Sequence, residues 1–469
     1  MFFKKKFLPY VAAATLLSSL GVSATYAASL AQFEEESKEA AASGDIFRPI
    51  EEHDDDYMSK PTIDLQELDY VPRQVLSILS EIEIGSIKIK LPEFGNRFLK
   101  FEGSVDQDKY AIITINDLGS FSSRLSSRGE VGLGESYELG EWDAFDVRRA
   151  AEVFRLNHEV LGKALEGNCC NKFAHSIYSF FTESSKGKAV DNIQAHYDLG
   201  NPFYRPWLDS SMTYSCALYD YNGRKAMNLE QAQQNKYQRI LDRLNATSGS
   251  KILEIGCGWG GFAEFAAARG HYVTGITLSE EQVKYSNQRA IDKGFADKAT
   301  FRLQDYRDVT VQYDNVVSIG MFEHVGEKYW GEFFVKVHDC LKPGKKAMLH
   351  TMVDANEENY DKRTKELSWL MRYIFPGGQF PTPERIIAEA RNASLQVNDV
   401  FQFGKDYTKT LAAWSDKFHE NWNEIQTSNP AVFDERFKRR WEYYLDGGSG
   451  TMESGAYGLY HFELQKPLN

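Results

Sequence analysis

The sequence predicts an α/β protein in which a doubly wound, largely parallel sheet is joined to a smaller N-terminal α+β domain. Three observations carry that expectation. The apolar run Lys251-Ile-Leu-Glu-Ile ends in the glycine cluster Gly256-Cys-Gly-Trp-Gly-Gly261 and passes into an alanine-rich helix predicted over 262–268. Downstream, strand-like runs over 272–276, 299–304, 314–319 and 346–352 alternate with a helix starting at Ser279 and another over 329–341. Such alternation builds parallel strands joined by crossover helices. The length, 469 residues, exceeds one ordinary domain, so two or three are expected.

In chain order, Lys4, Lys5 and Lys6 precede an apolar run from Phe7 to Val22, with small residues around Ala24 and Ala27. Residues 1–28 therefore resemble a secretory signal peptide or an uncleaved anchor, and the run is shorter than a full membrane span. An anchor with these lysines would keep its N-terminus cytoplasmic. Residues 29–70 turn acidic and poor in large apolar side chains, with Glu34–Glu36 and His53-Asp-Asp-Asp56, and read as a solvated spacer.

Residues 71–180 hold the alternating runs Ile82-Glu-Ile-Gly-Ser-Ile-Lys-Ile-Lys90 and Tyr110-Ala-Ile-Ile-Thr-Ile115 and a helical pattern over 146–164. This is a small accessory domain without a catalytic constellation, suited to binding or docking. A polar bridge leads to the second unit, 190–469. It opens on an aromatic, turn-rich segment through Trp207 and Met212-Thr-Tyr-Ser-Cys216, then a helix over 230–244. Ser279 with Gln282 suits a capping box, Gly294 ends that helix, and Lys342-Pro-Gly344 ends the next. The last apolar run, 457–465, would complete the sheet as an edge strand.

Composition excludes some functions. A formal net charge of −13 argues against a nucleic-acid partner, which needs clustered Lys and Arg. Five cysteines, with Cys169 and Cys170 adjacent and the others scattered, form neither a zinc spacing nor a disulfide framework, so no metal is expected and a reducing compartment is implied.

The glycine cluster carries the first chemistry. Gly256, Gly258, Gly260 and Gly261 permit positive φ and close approach of a ligand, and the helix after them offers free N–H groups. The spacing is not G-x-G-x-x-G and no Lys-Ser/Thr pair follows, which lowers dinucleotides and triphosphates in the ranking. Glu254, two residues before Gly256, suits a ligand with a cationic amine. The pattern resembles the first motif of S-adenosylmethionine-dependent methyltransferases.

A ligand in such a sheet lies beyond the carboxyl ends of the strands. There Thr277, Leu278, Ser279 and Gln282 offer hydroxyls and an amide for a ribose, and Gln304, Asp305 and Tyr306 suit an adenine amine and ring face. Later strand ends deliver Gly320-Met-Phe-Glu-His-Val325, His350-Thr-Met352 and Phe403-Gly-Lys-Asp-Tyr407, so Glu323, His350 and Tyr407 should converge on one pocket. Singly, Cys216, His350 and Tyr407 read as ordinary core residues. Glu323 differs, because a carboxylate in the apolar setting of Met321-Phe322 is expensive unless partnered or functional.

From about Asn192 onward the chain resembles the cyclopropane fatty acid synthase family. The match rests on Asn192-Ile-Gln-Ala-His-Tyr-Asp-Leu-Gly-Asn201, Tyr214-Ser-Cys216, Glu254-Ile-Gly-Cys-Gly-Trp-Gly-Gly261, Leu303-Gln-Asp-Tyr-Arg-Asp308, Gly320-Met-Phe-Glu-His-Val-Gly326, Tyr373-Ile-Phe-Pro-Gly-Gly378 and Phe403-Gly-Lys-Asp-Tyr407. Leu133-Gly-Glu-Ser-Tyr-Glu-Leu-Gly-Glu-Trp142 is similar to the lipid-associated N-terminal domain of longer members, whereas the leader and spacer depart from the family pattern.

The resemblance implies a Rossmann-like class I methyltransferase domain over 190–469. Its reaction would be methyl transfer from S-adenosylmethionine to a cis double bond of a membrane phospholipid acyl chain, then proton loss and ring closure. It adds Tyr214 and Ser215 to the donor site and a bicarbonate base held by Cys216, Glu323, His350, the backbone of Met352 and Tyr407. It also implies peripheral membrane contact and allows a homodimer, in a cytoplasmic, membrane-associated protein, with export or anchoring as the alternative that the leader raises. Rival readings are a lipid or amine methyltransferase that leaves a methyl branch, and a non-catalytic lipid-binding protein on the same fold. Trp414, Phe418, Trp422 and Ile425 at helical spacing form a core stripe or an acyl tunnel, and Phe437-Lys-Arg-Arg-Trp441 a solvated face or a headgroup contact.

Overall fold

Strand β1 (Ile84–Leu91) alternates strictly: Ile87, Ile89 and Leu91 are buried while Lys88 and Lys90 face outward. One face of a sheet must therefore be covered. In the computed structural model, which describes residues 62–165, 199–226, 228–357, 360 and 368–468, that sheet has four strands in the order β2-β1-β3-β4. β2 (Arg97–Glu102) runs antiparallel to β1, β3 (Val105–Ile115) parallel to it, and β4 (Trp142–Ala144) antiparallel to β3. Helices α1 (Tyr70–Ser77), α2 (Leu118–Glu138), α3 (Val147–Leu156) and α4 (His158–Leu165) complete this unit. Its core joins Ile87, Ile89, Ile113 and Ile115 to Phe121, Leu125, Trp142 and Val153. α2 bends at Gly129 (φ 56°), and its C-terminal half is buried, Glu135 and Glu138 included. The leader, nearly all of the spacer and the start of the Asn192 motif lie outside the described residues.

The second unit begins with α5 (Asn201–Tyr204), the hairpin β5 (Asp220–Tyr221) and β6 (Arg224–Lys225), and α6 (Leu229–Leu244). A seven-stranded sheet follows in the order β12-β13-β11-β10-β7-β8-β9. β7 (Lys251–Ile255), β8 (Tyr272–Thr277), β9 (Ala299–Leu303), β10 (Tyr313–Ile319) and β11 (Leu341–Asp354) are parallel. Between them run α7 (Gly261–Ala267), α8 (Glu280–Asp292) and α9 (Trp330–Cys340). Successive strand residues feed opposite cores: Leu253, Val316 and Ala347 join Trp330 and Phe334 on one face, while Ile252, Val317 and Met348 join Ile240 and Phe262 on the other. A sheet covered on both faces is the doubly wound arrangement.

Two expectations are corrected. The run 457–465 forms β13 (Tyr457–Gln465), but it lies inside the sheet, antiparallel to both β11 and β12 (Gln396–Gln402). β12 is the edge. The burial explains this, since seven consecutive residues of β13 are buried, whereas β12 buries only Val400. Lys342-Pro-Gly344 is not a turn after a helix that runs to Leu341. The helix stops at Cys340 and these residues sit within β11, where the register to β10 slips between Tyr313 and Asn315.

The remaining helices are α10 (Trp369–Tyr373), α11 (Pro383–Asn392), α12 (Lys405–Glu420), α13 (Trp422–Ser428) and α14 (Glu435–Glu453). Trp414, Phe418, Trp422 and Ile425 run from α12 into α13 and pack with Phe203, Trp207 and Trp441 in an aromatic core, so the stripe is core and not an acyl tunnel. The basic cluster 437–441 and the adjoining Arg436 are ion-paired within the protein, Lys438 to Glu442 at 3.5 Å. Arg436 and Arg440 reach Glu138 at 3.2 and 2.8 Å, and Arg439 donates to the carbonyls of Tyr137 and Trp142. Arg148 of α3 pairs with Asp446 and Asp416, and Gly450 lies so close to Arg148 that a Cβ there would sit 1.9 Å from its carbonyl oxygen.

Candidate active site

Two adjoining cavities open beyond the carboxyl ends of the parallel strands, and Tyr214, Ser215, Gly320 and His324 line both. The larger, about 1100 Å³, is bounded by the segments that follow β7, β8, β9 and β10. Gly256 (φ 82°) is required because a Cβ would stand 2.7 Å from the Met321 side chain. Gly258 (φ 51°) is different: a Cβ there would meet nothing within 4 Å and would project into open space.

The donor-site residues read from the sequence reach this wall with one exception. Tyr214, Ser215, Glu254, Gly256, Gly258, Thr277, Leu278, Gln282, Gln304, Asp305 and Tyr306 all line the cavity. Ser279 does not, because its hydroxyl caps α8 by accepting from the Gln282 N–H. Thr277 Oγ1 donates to Gln282 Oε1 at 2.7 Å, which fixes the two side chains together. Asp305 is clamped by the Arg307 guanidinium at 2.9 and 2.7 Å.

Glu254 is buried, and its Oε2 has no hydrogen-bond partner. Burial drives its pKa well above the ordinary carboxyl value, against the pull of the Lys236 ammonium. Lys236 is itself fully buried, donates to Ser215 Oγ at 2.6 Å, and is lowered to about 7 by burial. A buried carboxyl oxygen without a donor is costly, and a cationic amine would relieve it.

The smaller cavity, about 510 Å³, brings together Cys216, Glu323, His350, Met352 and Tyr407, with Phe375, Gly378, Phe380 and Leu459 as its apolar wall. Glu323 Oε1 accepts from the Met352 N–H at 2.7 Å while Oε2 has no hydrogen-bond partner. Burial pushes this carboxyl up to about 7. The other groups are neutral: burial holds the Cys216 thiol and Tyr407 phenol far above their ordinary values and the His350 imidazole well below its own. The result is a small chamber of neutral polar groups around one proton-sharing carboxyl.

Four buried residues around these cavities escaped the sequence reading: Lys236, Arg239, His461 and Tyr444. Lys236 and Arg239 look like the polar face of a surface helix, and His461 like one residue of an apolar strand. Their signal is tertiary. His461 stands opposite His350 in the β11–β13 register, and Tyr444 accepts from the Tyr214 hydroxyl at 2.9 Å.

Residues 184–462, more than half of the chain, match the family described as mycolic acid cyclopropane synthetase. The chain belongs to this family. It is 37% identical over 343 residues to the cyclopropane-fatty-acyl-phospholipid synthase of Escherichia coli K12, covering 71% of this chain and 82% of that protein. It is 32% identical over 351 residues to tuberculostearic acid methyltransferase UfaA1 of Mycobacterium tuberculosis, covering 74% and 81%. Among solved structures, the mycolic acid cyclopropane synthase CmaA1 complexed with SAH and CTAB superposes with a TM-score of 0.54 at 28% identity, over 59% of this chain and 98% of that one. As a cyclopropane synthetase family member the chain is an S-adenosylmethionine-dependent methyltransferase with a Rossmann-like sheet. Among the described residues no helix is long and apolar enough to cross a membrane, and no cluster of His, Cys, Asp and Glu is placed to hold a metal.

Proposed function

We propose that the chain transfers a methylene from S-adenosylmethionine to a cis double bond of a phospholipid acyl chain, with a bicarbonate in the smaller cavity as base. The observation that carries this reading is the pairing of two cavities through Tyr214, Ser215, Gly320 and His324, one with an unpartnered buried carboxyl oxygen on Glu254 and the other with one on Glu323. The residues fit both groups. Glu254 would take the donor's amine, the open face of Gly258 its backbone side, and Gln304, Asp305 and Tyr306 its adenosine. When bound, the donor supplies a methyl group made electrophilic by its sulfonium.

An alkene is a weak nucleophile, so the chain's contribution is to align the reactants and exclude water. Phe375, Phe380 and Leu459 dry the smaller cavity, and aromatic faces there can stabilise developing positive charge without trapping it. Cys216, Glu323, His350, the Met352 N–H and Tyr407 would hold bicarbonate, whose chemistry is to accept the proton released on ring closure. Like charges are avoided because Glu323, pushed up to about 7, keeps a share of its proton near neutral pH and can donate it to an anion.

The test is turnover in carbonate-depleted buffer with bicarbonate added back, the product being identified by lipid mass spectrometry. A cyclopropane product with bicarbonate-dependent rate is expected. Full rate without bicarbonate overturns the base, and a methyl-branched product overturns ring closure.

A further inference from the structure

Behind His350 a chain of buried hydrogen bonds leaves the smaller cavity and crosses three strands. His350 Nδ1 lies 2.9 Å from His461 Nε2, and His461 Nδ1 lies 2.9 Å from Arg239 Nη1. Arg239 in turn donates Nη2–H to Asp399 Oδ2 at 2.9 Å, and Arg243 shares the same carboxylate oxygen at 3.3 Å. His350 and His461 are 1% and 0% exposed and Arg239 is 4% exposed, so water does not compete for these bonds. The Phe401 ring lies 3.9 Å from the Arg239 guanidinium carbon and the Phe403 ring 4.7 Å from the His461 ring, which fixes both side chains in place.

This chain has only one proton arrangement. A guanidinium donates and never accepts, so His461 Nδ1 must accept from Arg239 and carries no proton. His461 then holds its proton on Nε2 and donates it to His350 Nδ1. His350 Nδ1, now an acceptor, leaves its own proton on Nε2, the ring nitrogen free to face the cavity that His350 lines.

We propose that Arg239 and His461 are positioning residues that lock His350 as the neutral Nε2–H tautomer, so that it presents a fixed hydrogen-bond donor, and never an acceptor, to the anion in the smaller cavity. The energetic sense is consistent. Burial lowers both histidines well below their ordinary values, while Arg239, lowered to about 10, stays protonated at neutral pH. The anchor for the whole chain is Asp399, on the edge strand β12. The role of the donor rests on the bicarbonate reading; the tautomer does not.

Long-range nitrogen–proton correlation NMR on histidine-labelled wild-type protein, free of donor and bicarbonate, reads the tautomers directly, with His350→Gln and His461→Gln used for assignment. Nε2–H on both rings is expected, and Nδ1–H on His350 overturns the proposal whether or not any variant folds. Kinetics add a second reading. His461→Leu, which removes the link, should lower kcat about tenfold or more with S-adenosylhomocysteine affinity unchanged, as loss of an orienting partner does. His461→Gln, whose amide can accept from Arg239 and donate to His350, should recover most of that loss. Unchanged kcat in His461→Leu overturns the positioning role. Bicarbonate-independent turnover would remove the anion from the account and leave the measured tautomer standing, so the two readings fail separately.

Discussion

The two cavities share four wall residues and are nevertheless built on opposite plans. The larger takes its wall mostly from short segments that each follow a strand, so a few neighbouring residues with special backbone angles define it, as in Glu254–Gly261. The smaller draws residues 216, 323, 407 and 459 from separate parts of the chain and 350 and 352 together from β11, and depends on their burial and protonation. Backbone conformation governs the first and electrostatics the second. Substitutions should therefore fail in different ways in the two places.

The largest expected effect is at the backbone. Gly258→Val forces a β-branched residue into φ 51° and sends its side chain into open cavity, so affinity for S-adenosylhomocysteine should fall by about 100-fold or more in a folded protein. Calorimetric titration measures it, and near-normal affinity would place the ligand elsewhere. In the smaller cavity Glu323→Gln and Tyr407→Phe should reverse that pattern. Turnover should drop about 100-fold, in the range of a lost acid–base group, with donor affinity held within a few-fold. Equal losses in kcat and affinity would erase the distinction between the cavities.

A stability measurement sharpens it further. The Glu323 carboxyl moves from an ordinary 4.5 to about 7 on folding, so the native state holds the proton more tightly than the unfolded chain. Its contribution is fully present below 4.5 and is lost as pH rises towards 7. The isosteric Glu323→Gln cannot ionise and can still accept from the Met352 N–H. Ligand-free variant and wild type should match near pH 4.5 in urea unfolding, and at pH 8 the variant should be more stable by about 1–3 kcal/mol. A less stable variant at pH 8 would show that Glu323 is ionised and well satisfied in the fold.

The smallest effect lies furthest from the chemistry. Glu138 of α2 accepts from Trp369 Nε1 at 3.0 Å and from Arg436 and Arg440, and Glu135 accepts from the Tyr373 hydroxyl, so the N-terminal unit holds α10 just before Phe375 and Gly378 of the smaller cavity. Glu138→Gln should lower stability by about 1–2 kcal/mol, since one partner of the pair is half exposed, and should reduce turnover several-fold without changing donor affinity. Turnover equal to wild type would show that the two units are coupled only through stability.

These contrasts track what could be read in advance. The larger cavity was legible because its determinants are local: glycines at special angles and polar residues at strand ends keep their meaning in a linear string. Ser279 was ambiguous, because a helix-capping serine and a ribose-binding serine look the same before the cap is formed. The partners of the basic cluster 437–441 were not legible, because the ion pair of Arg440 with Glu138 joins residues 302 positions apart, which no periodicity records.

By itself the sequence determined the alternation of strands and helices, the glycine turn and the types of residue at each strand end, all set by backbone sterics and side-chain polarity over a few neighbours. Tertiary structure alone decided that 457–465 is an interior strand, because burial on both faces depends on what packs there. The same strand pairing set His461 against His350 and let Arg239 dictate where a proton resides. A hydrogen-bond partner across a sheet follows from strand order and register, and those follow from the packing of the whole chain.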